Sequence, residues 1–207
     1  MSEIAKRPLP LSPLYKEFNL SRPGDQHNDF VGELFVKLHR LLEKTNLVVK
    51  LNTFRYLDDW QINVFGDFKN VMNLENFVAG LIRFDASKEF IQNKLDEYTG
   101  VGAAPMGYAP DVFIVEKSKQ NNEFAVPLVV FEVISAQSRQ HDLFYKPFFY
   151  ETIGVKECFI CEALLEAGTI VRAYRLENQQ YQPIAKQDDR YFSEVIRQSL
   201  PRVWELQ

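Results

Sequence analysis

Pro127-Leu128-Val129-Val130-Phe131-Glu132-Val133-Ile134-Ser135 is the most apolar segment of the chain. A near-continuous run of β-branched and aromatic residues entered from a proline is the pattern of a strand covered on both faces, so this segment should lie at the centre of a sheet. Glu132 interrupts it. An unpaired ionised carboxylate at such a place costs several kcal/mol even after relaxation, so the group has to be protonated, ion-paired, at the strand's exposed end, or bound to a metal.

Upstream, Gly100, Gly102, Pro105 and Gly107 mark an irregular loop that leads into a second short apolar strand, Pro110-Asp111-Val112-Phe113-Ile114-Val115. Downstream, His141 to Ile153 has helical spacing and stops at Gly154, a residue suited to a left-handed helix cap. CFICEA, TIVRAYRL and YQPIA then follow as strands of a meander. Nearer the N-terminus, Phe30, Val31, Leu34, Leu38, Leu41 and Leu42 recur at helical spacing within Asp29 to Lys44, and LVVKLNTFRYL reads as a strand. Two more helices are expected over Leu74 to Phe84 and Ser87 to Tyr98. Pro8, Pro10, Pro13 and Pro23 exclude regular structure from residues 1–25, which reads as a surface arm. The order of elements predicts an α/β fold over residues 1–207, one domain with a mixed central sheet flanked by helices.

The chain has 207 residues, 46% of them hydrophobic and 25% charged, enough for one substantial core. Its formal net charge of -4 argues against broad attraction to nucleic acid, so any DNA contact must be local. No stretch approaches the roughly 20 apolar residues that span a bilayer, and no apolar signal core opens the sequence; the expectation is a cytoplasmic protein without a membrane partner. Cys158 and Cys161 have CxxC spacing but no nearby ligands to complete a zinc site. On a strand, positions three apart face opposite sides, so buried thiols are expected.

Asp111 is a second acid against an apolar background. Two carboxylates on adjacent strands can hold one hard divalent cation that keeps several waters, although an Asp after a proline also serves simply to open a strand.

Pro110-Asp111, the spaced VVFEVIS, Lys146, and the flanking Asp142, Tyr150 and Gly154-Val155 resemble the signature of the Uma-two family of prokaryotic putative restriction endonucleases, within the PD-(D/E)xK superfamily. The similarity runs from about Pro110 to the C-terminus. It implies a restriction-endonuclease-like fold and a metal-dependent nuclease. Asp111, Glu132 and Lys146 would be its catalytic residues, and Asp111, Glu132 and the Val133 carbonyl would be ligands of Mg²⁺ or Mn²⁺. DNA would be the substrate, and a homo-oligomer is open. The superfamily's usual lysine position, two after the second acid, is Ile134 here; the resemblance assigns that role to Lys146 on the next helix.

The superfamily often adds an acid from the first helix, and Glu33 is the matching residue, although its local pattern reads as a solvated helix position. Gln26 or His27 could approach the site instead. His39 and His141 lack metal-type spacing and receive no role. Pro147 disfavours helical geometry at Lys146, and should start the helix there or redirect the side chain. Residues 63–104 exceed the strand connection expected of the family; covering the cleft, self-association and substrate recognition all stay open. The enzyme reading calls for a positive rim from Arg139, Lys146 or Arg172. The competing reading is a non-catalytic nucleic-acid-binding or protein-interaction module on the same fold.

Overall fold

The computed structural model describes residues 26–51, 74–99, 110–122, 125–134, 139–163 and 167–205. The expected arm at 1–25, the continuation of the first strand beyond Leu51, residues 63–73 and the glycine-rich loop at 100–107 lie outside the described residues.

The elements are α1 (Gln26–Leu42), β1 (Leu47–Leu51), α2 (Leu74–Arg83), α3 (Lys88–Thr99), β2 (Val112–Glu116), β3 (Val129–Ile134), α4 (Lys146–Thr152), β4 (Glu157–Ala163), β5 (Ala167–Glu177), β6 (Gln180–Pro183), β7 (Arg190–Ser193), β8 (Gln198–Pro201) and β9 (Val203–Glu205). A seven-stranded mixed sheet has the order β1-β2-β3-β4-β5-β6, with β9 also paired to β5; β7 and β8 form a separate hairpin. This is the restriction-endonuclease-like architecture. All six residues of β3 are buried, as its composition demands. β3 and β4 are the parallel pair, and such a pair needs a crossover, which α4 supplies. The meander expected after it is present as β4, β5 and β6. Its last turn, Asn178-Gln179, has φ of 49° and 67°, the left-handed pair that a two-residue hairpin requires.

Alternation along the strands divides the core into two layers. Val129, Phe131 and Val133 of β3 meet Phe30, Leu34, Leu38 and Leu42, which recur every four residues along α1. Phe131 stacks on Phe159 of β4 with ring centroids 5.0 Å apart. Val130 and Ile134 point the other way, toward Phe77, Leu81, Phe90, Phe148 and Phe149 from α2, α3 and α4. The helical expectations at 74–84 and 87–98 therefore hold, and both helices pack on the crossover helix. No described helix is long and apolar enough to cross a membrane.

Gly80 of α2 is where that packing is closest: a Cβ there would run into the buried ring of Phe148. Gly80→Ala gains up to about 1 kcal/mol of helix propensity. It overpacks a closed contact, which costs about 1–3 kcal/mol. Urea unfolding should show a net loss; a gain would mean that α2 does not lie this close to α4.

Cys158 and Cys161 are free and buried in opposite layers, as expected. Burial pushes both thiols up, Cys158 well above the usual range. Neither should react with a thiol reagent faster than the protein unfolds globally. Rapid labelling under native conditions would show that one layer opens.

A candidate active site at the sheet end

β2 and β3 run antiparallel with Val112 opposite Phe131, so the register brings Asp111 and Glu132 to the same end of the sheet. Beyond Val112 there is no further strand residue to continue the ladder. The Asp111 side chain substitutes: its Oδ2 accepts the Val133 N–H at 2.8 Å. From α1, His27 Nε2 stands 3.4 Å from the same oxygen.

Glu132 is completely buried on the α4 side of β3. Lys146 Nζ donates to its Oε2 at 2.7 Å, and the Tyr150 hydroxyl donates to its Oε1. Lys146 also pairs with Asp142 Oδ1 at 2.8 Å. Asp142, Lys146 and Tyr150 are spaced by four, so one helix face presents all three.

α4 starts at Lys146 with Pro147 in its first turn, as that proline allows, yet the lysine keeps the helical geometry that the proline disfavours. Lys146 is helical (φ -59°, ψ -45°), and the preceding turn, His141–Tyr145, is a π-turn in which the Lys146 N–H bonds to the His141 carbonyl. Pro147 has no N–H to offer the Leu143 carbonyl in the α manner, and Arg172 Nη1 from β5 donates to that carbonyl at 3.3 Å. The Arg172 guanidinium also lies over the Phe144 ring at 5.5 Å. Across the same turn, Phe90 of α3 meets His141 edge-on at 5.5 Å, and Lys94 lies 5.4 Å from the centre of the Tyr145 ring. Tertiary contacts hold a turn that the local sequence alone disfavours.

Burial pushes the Glu132 carboxyl up to about 8; Lys146 opposes this, and the charges of Asp111 and Asp142 add to it. Asp111 differs. Burial raises it too, but the hydrogen bond from His27 and the charges of Lys146 and His27, with the Val133 N–H, outweigh burial and hold it below the ordinary range. For Lys146, burial works against the charge, yet the carboxylates of Glu132, Asp111 and Asp142 raise it far above its usual value. The result is an ammonium held charged among three acids, one of which resists ionising.

The resemblance noted from Asp111, Glu132 and Lys146 now has an independent match. A family model described as "Putative restriction endonuclease" matches residues 94–205, more than half of the chain, and takes in these three positions. The chain belongs to the Uma2 family. No curated protein matches it. The Uma2 match begins within α3, so α1, with His27 and Glu33, and all of α2 precede it.

Of the residues expected to form the site, Lys146 and Glu132 are in direct contact, and Val133 enters through its N–H to Asp111. Glu33 is 3% exposed, so it is not the solvated helix residue that its local pattern suggested. Of the residues named for a positive rim, Lys146 lies in the site, Arg139 pairs with Glu162 at 2.7 Å, and Arg172 donates to the Leu143 carbonyl at 3.3 Å. Asp142 and Tyr150 join the catalytic candidates in one network through Lys146 and Glu132. Their four-residue spacing around Lys146 was the available signal.

Among the described residues no group of three or more His, Cys, Asp and Glu side chains is gathered so as to hold a metal ion. A small, hard, water-retaining cation needs fewer, one or two carboxylates. Asp111 and Glu132 come to the same end of the sheet and supply two carboxylates, so the donor type fits such a cation.

Proposed function

We propose that this chain is a divalent-metal-dependent endonuclease that hydrolyses phosphodiester bonds of DNA. The observation that carries the proposal is the placement of Asp111, Glu132 and Lys146 at one end of the sheet although they come from a strand opening, a buried strand and a crossover helix. Asp111 and Glu132, with the Val133 carbonyl, would hold Mg²⁺ or Mn²⁺. When bound, the cation supplies Lewis-acid polarisation of the phosphate and an acidified water.

The chain's own groups do the rest. Lys146 orients the attacking water or offsets charge that builds on the phosphate oxygens. Asp142 keeps the Lys146 ammonium charged and in place, and the Tyr150 hydroxyl fixes the rotamer of Glu132 by holding Oε1. The shared apolar layer of α2, α3 and α4 supports reading residues 1–207 as one domain, in which the helices of the 63–104 segment brace the Lys146 helix.

A second reading, a non-catalytic nucleic-acid-binding or protein-interaction module, draws on the net charge of -4 and on the pairing of Arg139 with Glu162 and of Arg172 with the Leu143 carbonyl. Incubating plasmid and single-stranded DNA with the protein and Mg²⁺ or Mn²⁺ separates the two readings. Metal-dependent cleavage is expected from the wild type. DNA binding without cleavage would favour the module.

A further inference from the structure

His27 lies before the stretch matched by the family, yet it reaches the site. It occupies the first turn of α1, one turn ahead of Phe30, whose ring is buried beneath Gly168 of β5 and fixes this end of the helix against the sheet. Its Nε2 faces Asp111 Oδ2 at 3.4 Å, and its Nδ1 is 3.2 Å from Asn28 Oδ1. With Nδ1–H kept on Asn28, a cation can take the place of the Nε2 proton that faces Asp111, and its binding releases that proton. This is how ligating histidines are commonly oriented, with the far ring nitrogen donating to an oxygen.

Two donors, each about 2.1 Å from one ion and about 90–110° apart around it, stand about 3.0–3.4 Å from each other. The gap between Nε2 and Oδ2 has that size. The side chains of His27 and Asp111 are 25% and 18% exposed, so an ion can reach them from solvent.

We infer that His27 is a protein ligand of the site's cation, joining Asp111 through Nε2 and biasing the site toward Mn²⁺ over Mg²⁺. The inference rests on the metal-dependent reading above. The bias follows from donor chemistry: Mg²⁺ favours oxygen donors and dehydrates reluctantly, whereas an imidazole nitrogen contributes more to the binding of a first-row transition metal.

The test uses the full chain, MnCl₂ or MgCl₂ alone, titration calorimetry, and pulsed electron paramagnetic resonance of the Mn²⁺ complex. The wild type should show ¹⁴N coupling to Mn²⁺. His27→Ala should lose that coupling and bind Mn²⁺ about tenfold more weakly. Its Mg²⁺ affinity should fall much less. His27→Glu, which supplies an oxygen in place of the nitrogen, should recover Mg²⁺ binding without the coupling.

Absence of nitrogen coupling in the wild-type complex, or equal losses for the two metals in His27→Ala, overturns the inference. If Asp111→Asn abolishes Mn²⁺ binding while His27→Ala changes nothing, His27 is only an ion-pair partner and the nuclease reading stands. If the wild type binds neither metal, both readings fall.

Discussion

Lys146→Met should destabilise the metal-free protein by about 3–5 kcal/mol, the scale of removing one partner from a buried ion pair. Methionine fills much of the same space, so the loss is chiefly electrostatic. Glu132 and Asp142 are both 0% exposed, and both would lose the Lys146 ammonium. Urea unfolding in chelator measures the effect, and a loss below about 1 kcal/mol, the range of exposed pairs, would show that the cluster is solvated.

The dependence on pH has a defined sign. The folded Glu132 value of about 8 lies above the ordinary 4.5, so the native state holds this proton more tightly than the unfolded chain does. Its contribution is therefore fully present at the acid end of that window, and stability declines as pH rises toward 8. Without Lys146 the carboxyl moves further up, and the decline should extend to higher pH in the variant.

Glu132→Gln should separate stability from function. In chelator the variant should be as stable as the wild type or more so, because the amide oxygen still accepts a hydrogen bond, Lys146 keeps Asp142, and the acid that resists ionising there is replaced by a neutral group. Cleavage should nonetheless fall by about 10³-fold or more, the scale of losing a group that manages charge in the transition state. The linkage to metal changes too. Mn²⁺ at about a hundred times its dissociation constant should stabilise the wild type by about 2.7 kcal/mol, and the variant should lose most of that gain. Equal metal-dependent melting shifts in the two proteins would remove Glu132 from the ligand set, and a large loss of stability in chelator would make Glu132 a structural ion-pair partner.

The sequence carried the parts of this structure that depend on local pattern. β3 was legible because only a strand covered on both faces uses such a run, and Glu132 was legible because it violates that run. The pairing of acids and lysine came from a resemblance, since residues on three different elements meet only through sheet register and helix phase. Elements stabilised by distant contacts escaped. β7 is short and part-exposed, and it is tied down by Glu157 of β4, which accepts from the Ser193 hydroxyl and from the Glu194 N–H at 2.8 Å. The burial of Glu33 escaped because helical spacing separates the apolar stripe of α1 from its flanks but does not say which flanking residues tertiary packing covers. The rule about Pro147 was sound locally and was overruled by Arg172, Phe90 and Lys94.

The π-turn has one more consequence, which concerns phase. A π-turn winds one extra residue into a helix, and each residue turns an α-helix by about 100°. The helix is gripped on both sides of that extra residue: before it by Phe90 against His141, and after it by Gly80 against Phe148 and by Arg83 paired with Glu151. Deleting a single residue between His141 and Tyr145 would let the backbone relax into a plain α-helix. It would also rotate one gripped half against the other, so that either His141 leaves Phe90 and Asp142 leaves Lys146, or Phe148, Glu151, Lys146 and Tyr150 turn together away from α2 and Glu132. The surplus residue acts as an angular spacer, setting the bearing of Lys146, Tyr150 and the face held by α2 relative to Asp142 and His141.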